Sequence, residues 1–90
     1  MANPVQRKNV SFVAVADLKV DGVSLKAGTY HGYAKQLGVH GPGGQIAWMR
    51  PEYSLVLSER DISLNQLDGW LSGSELNADP AIETGQLKVV

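Results

Sequence analysis

The sequence predicts a small, mainly β domain: a highly curved antiparallel sheet or a partly closed, SH3-like barrel, with one short helix in the C-terminal half. Three observations carry that prediction. Residues 10–20 are apolar at every even position, Asp21-Gly22 supplies a hairpin turn, and the runs that follow are short and punctuated by glycine and proline.

The first run places Val10, Phe12, Ala14, Ala16, Leu18 and Val20 on one face and Ser11, Asp17 and Lys19 on the other, the period-2 pattern of a half-buried strand. Asp-Gly is the favoured pair for a two-residue type I′ turn. Such a turn sets Val20 opposite Val23, Leu18 opposite Leu25 and Ala16 opposite Ala27, with Lys19 facing Ser24 and Asp17 facing Lys26. Turn chemistry and cross-strand pairing thus demand the same register. Val13 and Val15 do not suit a solvated face, so either a second layer of the same domain or another subunit is expected to cover them.

Gly28 interrupts the alternation, and Thr29–Lys35 resumes it as a short strand, with Gly28 and Gly32 as bend positions. Residues 38–44, Gly-Val-His-Gly-Pro-Gly-Gly, read as a loop. Gln45–Arg50 and Tyr53–Leu57 are further strands separated by Pro51, and Gln86–Val90 is a last strand able to close the sheet. The helix is expected over 64–72, with Ser63 and Gln66 as a capping box, Leu64, Leu67 and Leu71 at helical spacing, and Gly73 as its terminator. Asp79-Pro80 reads as a turn. The whole chain, 1–90, forms a single domain, with residues 1–9 as a flexible N-terminal arm.

Composition excludes several classes. Without cysteine there is no disulfide, thiolate zinc site or thiol nucleophile. The longest apolar run, Phe12–Ala16, is far short of the ~20 residues of a membrane helix, and no signal-peptide pattern opens the chain, so a cytoplasmic protein without membrane contact is expected. Nucleophile elbows, HExxH helices, Walker loops and dinucleotide fingerprints are all missing, and two histidines do not make a metal site. The expectation is a non-enzyme with no cofactor, no metal and no catalytic residue.

Charge is unevenly divided. Residues 1–50 hold six bases and two acids, and residues 51–90 hold two bases and seven acids, although the net charge is only −1. The acidic half either solvates the helix and loops or meets a basic partner, such as the basic half of another copy. A sequence pI near 6.0 and no basic cluster beyond Arg7-Lys8 argue against nucleic acid, which ranks as the weakest binding alternative.

The middle of the chain concentrates ligand-binding chemistry. Tyr30, Tyr33, Trp48 and Tyr53 serve either as core or as stacking surfaces, His31 and His40 as strand and loop residues or as ligand contacts. The glycine loop is either a plain turn or a nest whose Gly41, Gly43 and Gly44 N–H groups hold an anion, with Lys35 and Arg50 nearby. These residues predict a homo-oligomeric binding protein that sequesters an anionic, nucleotide-derived small ligand. The rival reading is a protein-interaction module or inhibitor, the job of phage and mobile-element accessory proteins.

Overall fold

The computed structural model describes residues 3–90. Its strands are β1 (Val5–Ala14), β2 (Leu18–Val20), β3 (Val23–Leu25), β4 (Gly28–His40), β5 (Ile46–Trp48), β6 (Glu52–Val56), β7 (Glu75–Asn77) and β8 (Leu87–Val89). Two short helices, α1 (Glu59–Leu64) and α2 (Asp79–Glu83), follow β6 and β7. The protein is mainly β, and every strand pairing is antiparallel.

The main sheet runs β7-β6-β4-β1-β8, with β5 added to the far end of β4. It stays open, because β7 and β8 lie on opposite edges and do not pair. Of the two expected architectures, the curved sheet is the one formed. The final strand joins β1 through Phe12↔Val89, Val13↔Lys88 and Ala14↔Leu87 and so extends the sheet at that edge.

The Asp21-Gly22 hairpin forms in the expected register, Leu18↔Leu25, Lys19↔Ser24 and Val20↔Val23. Asp21 and Gly22 both have positive φ, 51° and 80°, as a type I′ turn requires. The strand expected over 10–20 is nevertheless two strands: β1 stops at Ala14, the chain bends through Val15–Asp17, and β2 begins a separate two-stranded sheet. The bend lets Leu18, Val20, Val23 and Leu25 fold onto the even-numbered face of β1, where they bury beside Phe12, Ala14, Tyr30 and Leu55. Asp17 Oδ1 accepts from the Ala27 N–H (2.9 Å) and closes the hairpin's open end. Val13 is half-buried, whereas Val15, at the bend, is exposed.

The helices depart from expectation. Helix α1 starts five residues before the expected one and ends at Leu64, and its capping box is Ser58 and Asp61: the Asp61 N–H donates to Ser58 Oγ (3.2 Å) and the Ser58 N–H to Asp61 Oδ2 (3.0 Å). Gln66, expected to cap a helix, has φ 53° and lies in the turn that leaves one, so 65–73 is irregular chain. Asp79-Pro80 opens α2 instead of a turn, proline being suited to the first helical positions. Ala78 and Ala81 bury α2 against the core, and the helix packs on β2, β6 and β8.

The largest surprise is β4, thirteen residues long. It stays paired with β1 out to Val5↔Leu37, and Gly38 N–H adds a bond to the Pro4 carbonyl (2.8 Å). Residues 5–9 are therefore strand, not a flexible arm, and Gly38, Val39 and His40 are strand, not loop. Beyond the packed body, β1, β4 and β5 form a bare ribbon, which stretches the molecule to 51 × 26 × 19 Å and its radius of gyration to 15.2 Å. A compact chain of this length would have about 12 Å.

Candidate functional site

Strand alternation decides which of the expected site residues can meet. On β4 the even positions face the core and the odd positions face outward. Tyr30 is core: its hydroxyl donates to the Lys26 carbonyl (2.7 Å) and accepts from Asn65 Nδ2 (3.2 Å). Tyr53 is half-buried and meets Phe12 edge-on at 6.3 Å between centroids. Tyr30 thus has no free face for stacking, and Tyr53 spends part of its surface on packing.

His31, Tyr33 and Lys35 share the outer face. His31 Nδ1 lies 3.1 Å from Ser11 Oγ, directly across from it on β1. Among the described residues no carboxylate bonds the His31 ring, so nothing orients it as hydrolytic catalysis would need. The Arg7 guanidinium stacks on Tyr33, whose hydroxyl donates to Glu75, giving a polar row across β1, β4 and β7. Beside it lies an open groove of about 730 Å³ floored by Ser11, His31 and Tyr33 and walled by Ser58, Ser72, Gly73 and Val90.

The remaining expected residues lie elsewhere. His40 and Trp48 are on the opposite face of the ribbon, where Pro4, Ile46 and Trp48 close around Gly38. Gly41, Gly43 and Gly44 form the ribbon's tip, in which Gly41 N–H donates to the Gln45 carbonyl (2.8 Å) and Gly44 N–H to the Gly41 carbonyl (3.3 Å). Two of the three N–H groups assigned to an anion nest are thus taken by the turn itself. Arg50 sits at the ribbon's base, paired with Glu83 at 3.2 Å. The eleven residues divide among core, outer groove, inner ribbon face, tip and base.

What the structure assembles instead is apolar. Val5 and Leu37 are direct partners, Met49 N–H bonds the Leu37 carbonyl, and Val39 faces Ala47 one pleat further out. These residues share the ribbon's outer face across three adjacent strands, and Val5, Leu37, Val39 and Met49 are between 40% and 53% exposed. No layer covers them. Toward the body the patch ends at Arg7 and Lys35, two cations directly opposite each other. The signal was available in the alternation, since Leu37 and Val39 continue the outward register of His31, Tyr33 and Lys35 through the glycine at 38.

The chain's relatives would bear on the use of such a face. Comparison with family models, with curated proteins and with solved structures finds no match in any of the three. Among the described residues no helix is long and apolar enough to cross a membrane, and no cluster of three or more acids and histidines could hold a metal ion. The geometry of the ribbon and the groove is therefore the basis for a functional reading.

Proposed function

We propose that this protein is a non-catalytic interaction module that docks its β-ribbon on a protein surface. The observation that carries this is the uncovered outer face of Val5, Leu37, Val39 and Met49, held on paired strands beyond the packed body. Covering the half of each side chain still in water would contribute roughly 1 kcal/mol apiece. The ladder pre-orders those side chains, so docking costs little further backbone entropy.

A photo-crosslinking residue at position 39, compared in the producing cells with one at exposed position 84, tests the reading. Protein adducts concentrated at 39 are expected. Equal, background-level adducts at the two positions would sink it.

The groove supports a second reading, the anionic small ligand, because His31, Tyr33 and Ser11 converge there in a space of drug-like size. Mass spectrometry of a denatured extract would reveal a stoichiometric small molecule, lost in a His31→Ala variant. An extract free of any such molecule removes this second reading.

A further inference from the structure

One backbone edge of the sheet is open. Strand β8 covers β1 only at Phe12, Val13 and Ala14, with the Val90 N–H reaching the Ser11 carbonyl at 2.9 Å. Residues 5–9 are exposed, and among the described residues no strand follows them on that side. Antiparallel pairing turns the backbone groups of successive residues toward alternate neighbours. The Pro4 carbonyl accepts from Gly38 on the β4 side, and the Ser11 carbonyl accepts from Val90 on the other, so even positions of β1 face β4 and odd positions face away. Val5, Arg7 and Asn9 therefore turn their N–H and C=O groups to the open edge.

The side chains along this edge carry one sign. Strands β1 and β8 together hold Arg7, Lys8 and Lys88 and no acidic side chain. The nearest acids of the sheet are engaged on its other side: Glu52 lies opposite Lys35 across β4 and β6, and Glu75 accepts from Tyr33. Arg7 stacks on Tyr33, and Lys8 has Ala34 opposite it. Among the described residues neither cation is in an ion pair.

We infer that an extended acidic segment of the partner protein adds to this edge as a strand antiparallel to β1, in line with β8. This rests on the reading of the ribbon as a docking element and names what the partner supplies. The direction is that of β8 on the same edge. Residues directly opposite share a face, so the register dictates a pattern: an acid opposite Lys8, a second acid beside it opposite Arg7, any residue opposite Gln6, and an apolar residue opposite Val5 that extends the Val5–Leu37 patch. Main-chain bonds hold such a strand, and its alternate side chains select it. A second copy of the chain does not fit. Pairing β1 with β1 supplies no carboxylate in any register, and the sequence contains no two adjacent acids.

Amide hydrogen exchange on the full chain, followed by NMR, tests this with two synthetic probes: the blocked peptide Ser-Thr-Glu-Glu-Thr-Val-Ser and the same peptide with lysines for both glutamates. At saturation the glutamate peptide should slow exchange at Val5, Arg7 and Asn9 by about tenfold or more, and far less at Gln6 and Lys8, which already bond to β4. The lysine peptide should bind about tenfold more weakly. An Arg7→Glu/Lys8→Glu double variant, checked for folding by circular dichroism, should reverse that preference; the wild-type pattern decides the inference without it. Uniform slowing over residues 5–9, no slowing, or equal binding of the two peptides overturns the inference. So does slow exchange at Val5, Arg7 and Asn9 in the protein alone that is lost on dilution, because a second copy then fills the edge. If the edge fails while position-39 adducts to other proteins persist, the docking reading stands; if both fail, both readings fall.

Discussion

The Arg7 guanidinium carbon lies 4.5 Å from the centroid of the Tyr33 ring, and the Tyr33 hydroxyl donates to Glu75. One side chain on β4 thereby links a cation on β1 to a carboxylate on β7, across β6 between them. The stack stands where the packed body gives way to the ribbon, so it anchors the ribbon's root.

A double-mutant cycle should resolve the stack's two parts. Tyr33→Phe keeps the ring and removes the hydroxyl bond, at a cost of about 1 kcal/mol. Arg7→Gln should cost about 0.5 kcal/mol, and nothing measurable once Tyr33 is Leu, since no ring remains for the cation. Urea denaturation measures each corner. An Arg7→Gln effect that persists in the Tyr33→Leu background would show that the cation acts elsewhere.

Gly32 sits where β4 is pressed hardest. A Cβ there would collide with the Ser54 carbonyl on β6 and lie 2.9 Å from the Phe12 ring. Because backbone blocks the space, neighbouring side chains cannot relax to make room. Gly32→Ala should lose more than about 2 kcal/mol and lower the melting temperature by ten degrees or so. The same change at Gly43, which has open space but φ 79°, should cost about 1 kcal/mol.

The two capping sequences around α1 make opposite predictions. Ser58→Ala should cost about 1 kcal/mol, because it orphans the Asp61 N–H. Ser63→Ala should be neutral. Gln66→Gly should stabilise by up to about 1 kcal/mol, because glycine relieves the positive φ at that position. Thermal melts of the three variants check the order, and a destabilising Gln66→Gly would return the helix to 64–72.

That contrast shows what was legible in the sequence. The Asp21 hairpin was readable because its turn and its cross-strand pairs are local and point to one register. The helix was misplaced because Ser63-x-x-Gln66 with leucines behind it has the same local form as Ser58-x-x-Asp61, and the choice is made by tertiary bonds to Asn65. The break at Ala14 was hidden because Ala14, Leu18 and Val20 all bury, in two different sheets. The eleven expected ligand residues do not gather in one place, because strand alternation sets Tyr30 and His31, neighbours in sequence, on opposite faces and the ribbon carries the glycine turn away from both. The ribbon lay open in the alternation of residues 29–39, but glycine content at 38–44 masked it. A strand tolerates Gly38 there because Pro4, Ile46 and Trp48 fill the space its side chain would occupy.

Arg50 offers a test of how little an exposed ion pair contributes. Its partner Glu83 is 58% exposed and Arg50 itself 80%, so water and salt screen the contact. Arg50→Ala should change stability by less than about 0.5 kcal/mol in urea titration. A larger loss would mean that Arg50 fastens the ribbon's base to α2.

Asn65 is the opposite case, one polar side chain joining three elements. Its Oδ1 accepts from the Lys26 N–H (2.7 Å), and its Nδ2 donates to the Asp61 carbonyl (2.8 Å) and the Tyr30 hydroxyl (3.2 Å). Asn65→Ala leaves the Lys26 N–H at the end of β3 to water and takes one of the bonds from the buried Tyr30 hydroxyl, so about 1–2 kcal/mol should be lost. Asn65→Asp keeps the acceptor and loses both donations, and it sets a carboxylate against the Asp61 carbonyl. Its cost should match or exceed that of alanine above the aspartate's titration and fall below it in acid, where the protonated group regains a donor. Urea denaturation at two pH values separates these outcomes. An Asn65→Asp variant as stable as wild type at neutral pH would show that the Lys26 bond alone holds this corner, with the Nδ2 donations incidental.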